Sequence, residues 1–270
     1  MRPVNQQTIL VTGATDGHGK LVALELARRG ATVLVHGRDP ARIDATVAEA
    51  RRAGAAAARG YSADFASLAE VRRLAGEIAR AESRLDVLVN NAGIGTRMPG
   101  DGARVTSREG LELRFAVNYL APFLLTRLLV PLLRASAPSR IVNVSSAGQA
   151  PLDFADLQLA RGYTGARAYR QSKLAQILFT IDLADELAGS GVTVNALHPA
   201  TFMPTKIVSS PTSTLEEGVA ATVRLIVDRS LEGVSGRYFE GLIEARAAAQ
   251  AYDVGARRAL REASDALARL

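Results

Sequence analysis

The chain has 270 residues, of which 48% are hydrophobic and 22% charged, with a formal net charge of +6; this suits one globular α/β domain, 1–270, with ample core. It has no cysteine and only three histidines, far apart in sequence, which excludes disulfides and thiolate metal sites and argues against any metal centre. The positive charge is spread through amphipathic stretches such as 41–52 and 71–80 without aromatic interleaving, so it reads as solvated helix faces and not as a nucleic-acid surface.

In chain order, an apolar run predicts a strand over 8–12 that ends in Thr12-Gly13-Ala14-Thr15-Asp16-Gly17-His18-Gly19, and a helical pattern follows over 17–29. Glycines at such a strand-to-helix turn let the backbone approach a pyrophosphate, whose charge meets free N–H groups and the positive end of the helix dipole. A second strand over 32–36 leads into Gly37-Arg38, and helix 40–53, strand 57–62 and helix 67–81 come next, with Asp64 and Phe65 in the connection. Strand 85–90 runs into Asn90-Asn91-Ala92-Gly93.

The longest apolar stretch, Phe115 to Leu133, contains Asn118, Arg127, Pro122 and Pro131, so a buried helix is expected there and not a membrane span. Strand 140–145 closes on Ser145-Ser146, helix 166–188 carries Tyr169-Arg170-Gln171-Ser172-Lys173, and strand 192–198 ends at His198-Pro199-Ala200. This alternation demands a Rossmann-type doubly wound parallel sheet with helices on both faces, right-handed crossovers and ligands at the C-terminal strand edge. A substrate loop is expected over 200–215 and a C-terminal helical extension over 240–270.

Tyr169 and Lys173 are one helical turn apart, so the phenol and the ammonium share a face. The chain has only three lysines beside thirty arginines, which makes a chance Tyr/Lys pair at this spacing uncommon. A cation beside a phenol stabilises its phenolate and turns a poor proton shuttle into a useful acid or base.

Taken together, the Thr12–Gly19 turn, Asn90-Asn91-Ala92-Gly93, Asn118, Ser146 and the Tyr169/Lys173 pair resemble the short-chain dehydrogenase/reductase family over nearly the whole chain, most closely its retinol-dehydrogenase-like branch. The resemblance implies hydride transfer between a nicotinamide and a medium-sized, partly apolar ketone, aldehyde or alcohol. Tyr169 would be the general acid/base, Ser146 would hold the carbonyl oxygen, Lys173 would lower the Tyr169 pKa and hold the nicotinamide ribose, and Asn118 would anchor a water in a proton relay. Because strand side chains alternate in direction, Ser145 is expected to be structural.

Cofactor contacts are expected from Gly13, Thr15, Asp16, Gly17, His18 and Gly19, from Asn91, Ala92 and Gly93, from Tyr169 and Lys173, and from Pro199 and Thr201, with Thr205 nearby. Asp64 would contact the adenine beside Phe65, or else cap the following helix. At the end of the second strand, Gly37 stands where a carboxylate would select NAD, and Arg38 offers a guanidinium to a 2′-phosphate, so NADP(H) is favoured over NAD(H).

Two departures from the family pattern stand out. His18 replaces an aliphatic residue and is read as a pyrophosphate donor, as a group at the nicotinamide edge or as a partly exposed imidazole with no role. Ala200 replaces a glycine. The resemblance further implies a homo-oligomer, dimer or tetramer, with a subunit contact on the long apolar helix, and the sequence start favours the cytoplasm. Two rival readings are a sensor or scaffold that binds NADP without turnover and a non-redox isomerase or dehydratase on the same fold.

Overall fold

Eight strands form one sheet in the computed structural model, which describes residues 1–97, 103–201, 203 and 213–269. They are β1 (Thr8–Val11), β2 (Thr32–Gly37), β3 (Ala57–Ser62), β4 (Val87–Asn90), β5 (Ser139–Val144), β6 (Val192–His198), β7 (Tyr238–Glu240) and β8 (Ile243–Ala245). Their order is β3-β2-β1-β4-β5-β6-β7-β8, parallel throughout except for the antiparallel β7–β8 edge. The order reverses between β1 and β4, which places the switch point where the first Gly-rich turn meets Asn91–Gly93.

The helices that fill the crossovers begin where the sequence supplies caps. Asp39 accepts from Ala41 N at the start of α2 (Pro40–Ala53), whose end is turned by Gly54 at φ 110°. Ser67 caps α3 (Leu68–Ala81), and Thr164 caps α5 (Gly165–Glu186). Each side-chain oxygen satisfies an amide that the helix itself cannot. α1 is Gly17–Arg28, capped by Asp16. On α3, Leu68, Val71, Leu74, Ala75 and Ile78 make one buried stripe.

The long apolar segment opens as a π-helical turn, Phe115–Leu120, and continues as α4 (Ala121–Ala135). Together they are long and apolar enough to cross a membrane, yet they lie largely buried, packed on α3 and α5.

Two parts of the C-terminal third depart from expectation. α6 (Leu215–Val227), started by a capping box of Thr214 and Glu217, fills the stretch before β7. The expected helical extension over 240–270 opens instead as the end of a β7–β8 hairpin, and helix begins only after it, as a 3-10 turn Ala249–Tyr252 and then α7 (Val254–Ala268). Glu240–Ala245 cannot begin a helix because β7 has already paired with β6 and the chain turns back at Gly241, φ 58°.

α7 lies against α5 and the π-helical turn. Tyr119 Oη meets Ser264 Oγ at 2.7 Å, Arg261 reaches Asp182 at 3.0 Å, and Leu260 is buried beside Phe123 and Phe179. The sequence reading assigned the long apolar helix to a subunit contact, and α7 of the same chain covers its N-terminal half.

Candidate active site

The first turn is shaped by what surrounds its glycines. Gly13 (φ 64°) and Gly17 (φ 48°) adopt the left-handed region. A Cβ on Gly19 would stand 2.2 Å from Asn91 Nδ2 and 2.4 Å from Gly13 O, so only glycine lets α1 start this close to β4. Asn91 Nδ2 in turn donates to Thr12 O at 2.8 Å, and Thr12 Oγ1 accepts from the amides of Asn91 and Ala92. The opening of α1 is thereby held at the C-terminal strand edge, where the positive end of its dipole favours an anion.

The other cofactor candidates are distributed around this turn. Asp16 accepts from Gly17 N and is ion-paired with Arg42 at 2.9 Å, while Arg42 also donates to Thr15 O at 3.0 Å. Arg38 is exposed at the end of β2. A Cβ on Gly37 would meet Thr15 Cγ2 at 2.6 Å, so the turn itself leaves no room for a side chain there.

Asp64 Oδ1 accepts from Ala66 N, and the cap of α3 is Ser67, not Asp64. Phe65 is buried and stacks on the His36 ring at a centroid distance of 4.5 Å.

His18 is buried, with Nδ1 2.9 Å from Asn91 Oδ1 and Nε2 3.1 Å from Thr222 Oγ1 on α6. Burial holds its pKa below the ordinary value. The imidazole is neither partly exposed nor free to face a pyrophosphate: it joins α1 to β4 and α6, next to Gly218, where a Cβ would stand 2.1 Å from Met203 Sδ.

The candidate catalytic groups converge at the ends of β4 and β5 and on α5. Ser146 Oγ accepts from Gly148 N at 3.0 Å and lies close enough to the Tyr169 hydroxyl to favour its phenolate. Ser145 faces the other way and donates to Lys173 O at 2.7 Å. Lys173 is buried, its Nζ 5.8 Å from the Tyr169 ring centroid, donating to Val144 O at 2.9 Å and to Gln176 Oε1 at 3.0 Å.

Asn118 sits in the π-helical turn, where its Oδ1 accepts from Ile94 N at 2.8 Å and its Nδ2 donates to Ile94 O and Ser172 Oγ. Gly93 is exposed, and a Cβ there would lie 3.3 Å from Asn118 Oδ1 and 3.8 Å from Lys173 Nζ. Past the end of β6, Pro199 is buried and Thr201 is exposed, its Oγ1 3.1 Å from His198 Nε2. Thr205 lies outside the described residues.

The electrostatics differ from the expectation that Lys173 lowers the Tyr169 pKa. Burial pushes the Tyr169 phenol up, partly offset by the nearby Ser146 hydroxyl, and burial brings Lys173 down to about 7. With Lys173 Nζ turned to two carbonyl-type oxygens, the arrangement favours a protonated phenol.

Sequence reasoning missed a second polar cluster. Arg114, 0% exposed, donates from Nε to Gly95 O at 2.8 Å, from Nη2 to Thr96 O at 2.9 Å and from Nη1 to Tyr163 Oη at 2.6 Å. Tyr163 in turn donates to Glu112 Oε1 at 3.1 Å. A Cβ on Gly165 would stand 2.0 Å from Thr96 O, so this cluster fixes the segment after Gly93 against the N-terminus of α5.

Known proteins resemble this chain over most of its length. A sequence model of the short chain dehydrogenases matches residues 7–216. Human retinol dehydrogenase 13 is 41% identical over 92% of this chain and 80% of its own length. Among solved structures, an uncharacterised protein from Mycobacterium paratuberculosis superposes with a TM-score of 0.76 at 31% identity, over 98% of this chain and 94% of the other. RhlG of Pseudomonas aeruginosa, solved as an NADP active-site complex, superposes with a TM-score of 0.70 at 28% identity, over 89% of this chain and 97% of its own.

Proposed function

Because the chain belongs to the short-chain dehydrogenase/reductase family, we propose that it transfers hydride between NADP(H) and a medium-sized, partly apolar alcohol or carbonyl compound, with Tyr169 as general acid/base. The observation that carries this reading is the meeting of Ser146, Tyr169 and Lys173 beside Gly93, across the strand edge from the glycine turn. The names of the relatives make retinoids the first substrate class to try.

The residues present fit a dinucleotide. The glycine cradle leaves room for backbone to approach a pyrophosphate, Gly93 leaves an opening beside Lys173, and the exposed Arg38 brings positive charge to the end of β2. Gly37 supplies no carboxylate, which supports NADP over NAD. A bound nicotinamide would supply or accept the hydride.

The chain's own groups manage the proton. In reduction, the Ser146 hydroxyl donates to the substrate oxygen and steadies its growing negative charge, while Tyr169, held protonated by burial, gives its proton to that oxygen. Lys173 then faces a phenolate, whose charge favours its ammonium form. In oxidation the same groups run in reverse, the phenolate taking the alcohol proton.

NADPH oxidation against a panel of retinals, ketones and aldehydes tests the proposal, with Tyr169→Phe and NADH as controls. Turnover that disappears in Tyr169→Phe and is weaker with NADH is expected; tight NADPH binding with no turnover across the panel would favour the sensor reading, and product formed without NADPH consumption the non-redox one.

A further inference from the structure

His36 is the penultimate residue of β2 and points its ring between two segments that the cofactor reading assigns to different parts of the dinucleotide. Its Nδ1 lies 3.2 Å from Gly13 N, and its Nε2 3.1 Å from Ala63 O. An amide N–H can only donate and a carbonyl can only accept, so the ring is fixed as one neutral tautomer, with the proton on Nε2.

The backbone repeats the connection. Ala14 N donates to His36 O at 2.8 Å, and Ala63 N to Gly37 O at 3.0 Å. The ring also stacks on Phe65 at an interplanar angle of 25°. It is 2% exposed, and burial lowers its pKa to about 4, so it stays neutral at physiological pH.

The consequence for the turn is specific. Gly13 sits in the left-handed region, where its amide would otherwise point at no strand partner, and the imidazole supplies the acceptor that a β-ladder cannot. Asn91 holds the same peptide from the opposite side through Thr12 O and Gly13 O. The imidazole therefore sets the turn relative to Ala63–Phe65, in one rigid register.

We propose that His36 is a positioning residue for the dinucleotide: by bridging the Gly13 amide to the Ala63 carbonyl it fixes the phosphate-facing turn and the adenosine-facing segment at the separation one ligand requires. This rests on the cofactor reading above.

Titration of NADPH fluorescence, and competition by 2′,5′-ADP as the adenosine half alone, test it on the full chain. His36→Leu is expected to weaken both ligands tenfold or more. His36→Asn, whose Oδ1 can still accept from Gly13 N, should recover at least threefold of that loss. In steady state the KM for NADPH should rise with kcat within twofold of wild type, and amide exchange at Gly13 should quicken at least tenfold in His36→Leu. A folded His36→Leu that binds NADPH within twofold of wild type overturns the proposal. If that variant does not fold, His36→Phe takes its place, since it keeps a ring against Phe65 but offers Gly13 N no acceptor and Ala63 O no donor; binding of NADPH there within twofold of wild type overturns the proposal equally. Wild-type protein that binds neither nucleotide removes the cofactor reading itself, a result distinct from a variant that binds normally.

Discussion

Replacing Lys173 by Met should change how stability depends on pH, and the size of the change follows from its surroundings. The ammonium is buried with two neutral acceptors, Val144 O and Gln176 Oε1, and burial brings its pKa from 10.5 to about 7. The folded protein therefore releases this proton above about pH 7, whereas the unfolded chain keeps it to near its ordinary value. Between those limits the unfolded state binds more protons, so wild-type stability rises with pH; below them the full cost of the buried charge is present. One pKa unit is about 1.4 kcal/mol, and because the native group is half protonated at the lower limit, the gain from about pH 7 to about pH 9 comes to about 2 kcal/mol. Lys173→Met lacks the titrating group, and its lost hydrogen bonds impose a cost that does not vary with pH. Urea unfolding of both proteins at about pH 7, 8 and 9, followed by circular dichroism, gives the stability difference at each pH. Wild type should gain on the variant by about 2 kcal/mol over that range; a flat difference would refute the argument, because it would mean that the folded protein keeps Lys173 charged.

Further outcomes follow from other contacts. Arg114→Leu leaves the carbonyls of Gly95 and Thr96 and the Tyr163–Glu112 pair without their buried donor, and should cost about 3–5 kcal/mol in urea unfolding. Gly19→Ala drives a methyl into Gly13 O and Asn91 Nδ2, and should abolish NADPH binding in a fluorescence titration while the far-UV spectrum stays native. Gly37→Asp combined with Thr15→Ala, which clears the space that Thr15 Cγ2 fills, should lower the ratio of NADPH to NADH affinity by about tenfold or more by introducing a carboxylate beside the ribose.

The parts of this molecule that were legible in the sequence are those whose signal is local. Alternating apolar runs gave the order of β1 to β6, and the four-residue spacing of Tyr169 and Lys173 put both on one face of α5. Interactions between distant residues gave no such signal. Arg114 and Tyr163 are 49 positions apart and meet only where the segment after β4 lies against the start of α5, and His36 is 23 from Gly13 and 27 from Ala63, which it reaches only when β1, β2 and β3 lie side by side.

His18 stands inside the recognisable glycine turn, yet its ring is directed by Thr222, 204 residues away. α6 was obscured by Gly218 and by β-branched residues at Val219, Thr222, Val223, Ile226 and Val227, which weaken a helical pattern, while the close packing of Gly218 against Met203 and His18 is tertiary. β7 and β8 span three residues each, too short for periodicity to register.

The position of α7 also bears on assembly. Tyr119, Phe123 and Phe179 already have a covering helix from their own chain, fastened by Arg261–Asp182, Arg257–Asp185 and the Tyr119–Ser264 hydroxyl pair. A second copy could reach that aromatic surface only after a fifteen-residue helix had been lifted away, so association through it would be coupled to local unfolding, with an affinity reduced by the small fraction of molecules in the open form. Self-association that leaves α7 seated must use a different face, and a chain cut before Val254 would acquire a sticky surface that the intact chain keeps to itself.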